Sequence, residues 1–385
     1  MKGFAQAFIA AFRFIGRDRA AFSTLVGAIV LYSFYYPAPY KHEVATRLPM
    51  VAVDLDHSPM SRALLRKVKA VRTVDLTRTM PSVAAASRIL SSGEVEGILV
   101  IDADFERDIL RGDQGRITLM GSGGFLGRAS TVLQGLSDAV VGFSQEAGLA
   151  TARFEGAPAR APLVLVQRPM FNSREGYASG VVTGVSVLIV QQTLTMGIVL
   201  LAATRRERLG RVHFATAELA GWLAAFWVLG MLNLLYYEGF VFWFHDFPRG
   251  GNLAGVLLSS GLYIAAVVLL AAFVGSFFRV RERAMQIILI TSMPLYFLAG
   301  LSWPVTSMPA WLVWMGKLVP SSSGINALIR SNEMGARIEE ILPELVTLGV
   351  LIAVYGALTL WRYLPERPIR FRPGGAGSAK FPQTR

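Results

Sequence analysis

The chain has 385 residues, of which 53 % are hydrophobic and only 17 % charged, with a mean hydropathy of +0.46. An average soluble domain carries about 25 % charged residues, so soluble multidomain, disordered and collagen-like readings are excluded. The net charge of +12 and the lack of cysteine raise two further questions: where the positive charge sits, and what chemistry remains without thiols. Disulfides and thiolate metal sites are ruled out at once.

In chain order, residues 1–19 carry Phe4, Phe8, Ala11, Phe12 and Ile15 at helical spacing, with Arg13, Arg17 and Arg19 toward the end. This predicts either an interfacial amphipathic helix or the opening turns of the first span. The first transmembrane helix is expected over 20–36, within the charge-free stretch 20–40, and reads as an uncleaved span rather than a signal peptide.

Residues 37–176 are soluble in character, with 17 Lys/Arg against 15 Asp/Glu. They alternate in pattern. An apolar run at 50–54 precedes Ser58-Pro59, an N-cap and first-turn pair, which opens a helix to about Ala70. Strand is expected over 71–76, helix over 81–90, a buried strand over 97–101, helix over 105–111 and strand over 117–120. A helical stripe follows at Leu126, Ala129, Val132, Leu133, Leu136, Val140, Phe143 and Ala147, and a last strand over 163–167. Such alternation predicts a compact α/β domain.

Five further charge-free stretches follow, at 177–204, 219–237, 250–278, 284–316 and 345–361. About 20 apolar residues span a bilayer, so the fold class expected is an α-helical polytopic membrane protein of six transmembrane helices with an inserted extracytoplasmic α/β domain. Residues 177–364 form its five-helix transmembrane domain, and 365–385 a Gly/Pro/Ser-rich cytoplasmic tail without fixed structure. The positive charge gathers before the first span, at Arg205, Arg206, Arg208 and Arg211, at Arg279, Arg281 and Arg283, and after Arg362. Alternate connections are thus basic, which places both termini in the cytoplasm. Charge dispersed among short segments forms no nucleic-acid face.

Little points to catalysis. The stretch GSGGFLG at 121–127 has neither the spacing nor the lysine of a phosphate loop, and no GxSxG elbow is present. His42, His57, His213 and His245 are scattered. Asp54, Asp56 and His57 suit a metal less well than a strand end turning into a capped helix. In or beside the spans, Glu218 and Glu238 flank the third helix and Gln191 and Gln192 lie deeper in the second. A carboxylate at mid-bilayer is costly, so both glutamates are expected near the interfaces, whereas the two glutamines either line a substrate route or hydrogen-bond a neighbouring helix. Between 296 and 320 the chain stays apolar but is interrupted by Pro304, Pro309 and Pro320, with Trp303, Trp311 and Trp314 suited to an interface. Broken backbone at membrane depth must be buried in protein or line a cavity. A re-entrant hairpin is therefore expected near 298–320, turning at Gly300, before a last span opened by Pro343.

Two stretches carry a family resemblance. VAVDLDHSPMSRALL (51–65) with GILVIDADFERDILRGDQGRITL (97–119), and FLAGLSWPVTSMPAWLVWMGKLVPSSSGINALIR (297–330), resemble the ABC type-2 transporter permeases, in the branch with a large external domain after the first span. The resemblance implies a permease subunit of an ATP-driven exporter in the bacterial inner membrane, moving a hydrophobic or amphipathic substrate such as a drug or lipid outward. It implies no catalytic residues and no cofactor on this chain, with ATP and Mg held by partner ABC ATPase subunits. A second permease copy or paralogue would complete a dimer among membrane lipids, beside a periplasmic membrane-fusion adaptor. The ATPase-coupling connection would hold Arg205, Arg206, Glu207, Arg208 and Arg211. The alternative is a membrane receptor or docking protein that uses the external domain without transport.

Overall fold

A computed structural model describes residues 2–40, 45–111, 113–121, 126–154, 177–210, 213–303 and 305–364. The chain divides into two compact units, Met1–Pro39 with Gly180–Arg385, and Tyr40–Ser179.

The first unit begins with α1 (Lys2–Arg17). Asp18 then stops one helix and starts the next. Its extended backbone breaks the run, and its carboxylate accepts from the Ala20 and Ala21 amides at 3.1 and 3.0 Å, satisfying donors that a helix start leaves open. From there α2 (Arg19–Phe22) and α3 (Ala28–Tyr35) run on through a π turn at Ser23–Gly27. Residues 2–17 are thus a helix distinct from the one that follows Asp18.

The second unit is a sheet with helices on both faces. Its elements are β1 (Leu48–Asp54), α4 (Pro59–Lys69), β2 (Val74–Met80), α5 (Val83–Ser91), β3 (Gly97–Ile101), α6 (Phe105–Leu110), β4 (Ile117–Gly121) and α7 (Leu126–Phe154). Strand order is β2-β1-β3-β4, with β4 antiparallel to β3 and the rest parallel. Alternation sorts the two faces. Met50, Ala52, Leu99 and Ile101 pack with Leu64 of α4 and Val132 of α7; Val51, Val53, Ile98 and Val100 pack with Ala86 of α5. Buried on both faces, β3 reads as the continuous apolar run GILVI.

One strand lies later than its sequence suggests. Residues 71–73 are a turn and not strand: the Val71 amide bonds the Val68 carbonyl to close α4, the Arg72 and Thr73 carbonyls accept from the Arg47 and Leu48 amides, and the strand register begins at Leu48 opposite Val74. The strand then continues through Thr77, whose hydroxyl donates to the Met50 carbonyl at 3.0 Å where the register slips. The strand expected over 163–167, residues 122–125 of the glycine-rich stretch and the tail 365–385 lie outside the described residues.

Back in the first unit, α8 (Tyr177–Leu209), α9 (Thr216–Leu235), α10 (Phe242–Phe244), α11 (Leu253–Gly275), α12 (Arg281–Leu298), α13 (Ala310–Lys317), α14 (Pro320–Leu328) and α15 (Leu342–Tyr363) follow in order. A π turn, Tyr236–Val241, joins α9 to α10. Among the described residues, five segments are long and apolar enough to cross a membrane: Arg19–Tyr40, Ala178–Arg208, Thr216–Phe244, Leu253–Gly275 and Leu342–Tyr363. The stretch 284–316, expected to supply one more, is divided. Its helix α12 is 18 residues long, begins with Arg281, Glu282 and Arg283, and contains Pro294; the remainder turns at Gly300 and rises again as α13.

Helix α8 is the core of this unit. Val190, Leu194, Ile198, Val199 and Leu200 are all fully buried. Side chains that cannot find water pair with backbone around it. The Tyr263 hydroxyl donates to the Val187 carbonyl at 2.9 Å, and Asn233 and Tyr237 donate to the Leu25 and Ile29 carbonyls at 2.9 and 3.1 Å. Helix α1 lies along α9 at Gly221, where any Cβ would collide with the Phe4 carbonyl; only glycine permits that approach.

Candidate functional site

Three of the four arginines expected on a short connection are not in a loop. Arg205, Arg206, Glu207 and Arg208 form the last turns of α8, which continues to Leu209. Arginine and glutamate are good helix formers, and the helix stops at Gly210, whose φ of 66° is the left-handed conformation that terminates helices. Arg211 lies outside the described residues.

These side chains go to different places. Arg205 stacks its guanidinium 3.7 Å over the Phe214 ring. Arg206 donates to the Ser276 carbonyl at the end of α11. Arg208 points toward Phe14 of α1, 5.8 Å from its ring centre. Glu207 and Arg208 are exposed, whereas Arg205 and Arg206 are half-buried. So the helix tip presents one carboxylate and one arginine to solvent and spends the other two arginines on its own neighbours.

The same end of the bundle gathers the other basic segments. Arg281, opening α12, makes a bidentate pair with Asp18 at 2.6 and 2.7 Å, the fork geometry that favours arginine with carboxylate. That hydrogen-bonded pairing holds the Asp18 carboxyl below its ordinary value, against a smaller opposing effect of burial. Arg362 of α15 reaches the Ser276 hydroxyl at 3.3 Å, and the Phe214 amide bonds the Tyr363 carbonyl at 3.0 Å. The amino-terminal, second-to-third, fourth-to-fifth and last basic segments therefore meet at one end. From the sequence alone Arg281 reads only as one more basic residue, and its pairing with Asp18 is not visible. A lone aspartate between Arg17 and Arg19, at a helix start, was the available signal.

The two glutamates of α9 and its extension differ. Glu218 sits exposed in the first turn of α9, whose N-terminus favours a carboxylate. Glu238 is buried in the π turn and accepts from the Asn332 side-chain amide. Asn332 also accepts from the Gly250 amide at 2.8 Å through its side chain and from Gly251 at 2.9 Å through its carbonyl. Glu238 therefore belongs to a network that laces the loop after α10 to the turn before α15. Gln191 is buried, its Oε1 3.4 Å from the Tyr263 hydroxyl, and Gln192 donates to Ser292 of α12 at 3.0 Å. Both amides serve contacts between helices.

The proline-broken segment folds back on itself. The turn after α12 uses Gly300 at φ 79°, and Leu301 lies against Gly184 of α8. Pro309 caps α13 and Pro320 occupies the first turn of α14, the one helical position where proline loses no bond. The Ser322 hydroxyl returns to the Leu298 carbonyl at 3.2 Å, and Tyr355 of α15 donates to the Leu318 carbonyl at 2.6 Å. Trp303, Trp311 and Trp314 are exposed. Pro304 lies outside the described residues.

In the α/β unit, the Asp54, Asp56 and His57 cluster is consumed by the strand-to-helix turn. Asp54 accepts from the Asp56 and His57 amides at 3.2 and 3.0 Å and from the Ser61 hydroxyl at 2.8 Å, and Asp56 accepts from the Glu106 amide at 3.1 Å.

Apolar helices of spanning length, packed round a buried central helix and tied together by arginines at one end, define a multi-pass membrane protein. The chain belongs to the ABC-2 family transporter proteins, whose family profile matches residues 19–361. It is thus an ABC type-2 permease, a membrane transport component of a family that associates with ABC ATPase subunits. No curated protein matches the chain closely enough to stand as a relative.

Proposed function

We propose that this chain is the permease subunit of an ATP-driven exporter, working as a dimer with two ABC ATPase subunits that hold the ATP and Mg. Its cargo is a hydrophobic or amphipathic molecule, such as a drug or lipid, moved outward from the cytoplasm or inner membrane. The arginine-bound end faces the cytoplasm, with six crossings in all, α12 making the fifth, and residues 298–320 forming a re-entrant hairpin after it. The α/β unit lies outside, where a periplasmic membrane-fusion adaptor would meet it.

The observation that carries the reading is the length and tip of α8. Its 33 residues measure about 50 Å at 1.5 Å per residue, well beyond the roughly 30 Å of bilayer hydrocarbon. A buried, rigid rod that leaves the membrane with Glu207 and Arg208 exposed suits a lever. Because Arg206 grips α11 and Val199 and Ala203 of α8 pack against Ala284 and Ile288 of α12, a push on that tip reaches several helices together.

Two experiments test this. The purified chain should hydrolyse no ATP alone, yet stimulate or stabilise its cognate ATPase; intrinsic hydrolysis that survives removal of contaminating ATPases contradicts it. Reporter fusions at Val100 and Pro248 should read as external, and at Arg208, Arg281 and Gly375 as cytoplasmic. A cytoplasmic signal at Val100 overturns the topology.

A further inference from the structure

Between α1 and the facing ends of α8 and α9 lies a cavity of about 500 Å³, within the range of roughly 300–1,000 Å³ typical of ligand pockets. Its walls are unlike at the two ends. Along α1 it is lined by small residues, among them Ala7, Ala10 and Ala11, and on the α9 side by Trp222 and Phe226. At its other end stand Arg205 and Arg208, with Gln6 and the single carboxylate of Glu218. The Arg205 Nε is buried and has no hydrogen-bond partner among the described residues. Leaving such a donor unmet costs free energy; the guanidinium stacks on Phe214 with one face and has the Glu218 carboxylate near it.

We propose that this cavity binds one anionic phospholipid. An acyl chain would lie in the apolar part under α1, and the headgroup phosphate would accept from Arg205 and Arg208. Three observations select that occupant. The cavity is apolar along most of its length and cationic at one end, which matches an amphiphile and neither a free anion nor a plain hydrocarbon. It lies at the end of the bundle where the basic segments meet, the level at which headgroups sit. Helix α1 exposes Phe4 and Ile9, apolar residues on a helix that also carries Arg13 and Arg17, the composition of a helix resting in a membrane surface. The site is independent of which cargo is transported, and the bound lipid is a resident that ties α1 to the tip of α8.

The test uses the full chain in phosphatidylcholine vesicles doped with a photoreactive phosphatidylglycerol, or with phosphatidylcholine carrying the same photoreactive acyl chain. Adducts are then mapped to peptides. The expected result is preferential labelling of α1 and of the facing ends of α8 and α9 by phosphatidylglycerol, lowered about tenfold in Arg205→Gln and Arg208→Gln, the loss expected for one charge-assisted contact. Should either glutamine variant fail to fold, Ala10→Trp, a change at a partly exposed lining residue, fills the cavity and should abolish the labelling. Free glycerol phosphate should not compete. Equal labelling by the two headgroups, undiminished labelling in Ala10→Trp, or displacement by glycerol phosphate would each overturn the assignment; the last would mark a site for soluble phosphates instead.

Discussion

The stretches 177–204 and 284–316 are both free of charge and close to each other in length, yet they fold in opposite ways. One lies within the single straight helix α8, buried along most of its apolar length. The other becomes α12, a turn and α13, with Ile290, Met293, Trp311 and Trp314 exposed. Hydropathy is common to both. What separates them is punctuation: Pro294 removes an amide inside α12, Gly300 takes a left-handed backbone, and Pro309 caps the return helix. Burial then follows from geometry, because an unbroken rod can be surrounded by other helices over its whole length and a bent segment cannot.

The comparison breaks most sharply in the core. Leu200→Ala, at a fully buried position of α8, should cost about 2–5 kcal/mol through lost contacts and a cavity, read as a large drop in the unfolding temperature of the detergent-solubilised chain. Next comes the anchor that fixes the start of α12. Asp18→Asn removes one partner of a bidentate charged pair and should cost about 1.5–3 kcal/mol. The pairing lowers the folded-state pKa of Asp18, so its stabilisation is present above the unfolded carboxyl value of about 3.9 and fades only as pH falls through the lower folded value. The difference between Asp18→Asn and parent should therefore stay constant from about pH 5 to 8; a difference that vanishes within that window would show that the pair does not hold α12.

A smaller effect is expected at the turn. Gly300→Ala places a Cβ in left-handed backbone, which costs about 1–2 kcal/mol, and Val305 must also give way. Smallest of all, Ile290→Ala, at a side chain 73 % exposed, should change the melting temperature of the isolated chain by less than the equivalent of about 0.5 kcal/mol. A loss there as large as at Leu200 would mean that α12 is packed as tightly as α8.

Much of the α/β unit was legible because its apolar residues alternate and its signals are explicit: Ser58 with Pro59 and the run GILVI each marked an element. The strand after α4 was misplaced because Val71 and Thr73 favour strand locally, while pairing with Leu48 and the close of α4 set the actual start. Five of the six expected spans were legible from charge-free length alone; the stretch 284–316 was not, because Pro294, Gly300 and Pro309 punctuate it. The site was less so. Sequence put Arg205–Arg208 on a connection because charge usually marks a loop, whereas helix propensity carries α8 onward until Gly210. Nothing local tells that Arg206 turns to Ser276, or that Asp18 and Arg281 pair across 263 positions; those partners exist only once the helices are packed. The same holds for Glu238, whose partner Asn332 is 94 residues away.

The central claim is that the exposed tip of α8 receives the ATPase. The chain has no cysteine, so single cysteines can be placed without background, at Glu207 on the tip and at exposed Phe240 toward the other end of the bundle. With the cognate ATPase present and a short bifunctional reagent, Glu207→Cys should cross-link to the ATPase, with a yield that changes when ATP is added, and Phe240→Cys should not. Cross-linking from Phe240→Cys, or none from Glu207→Cys in a complex that still transports, would contradict the claim.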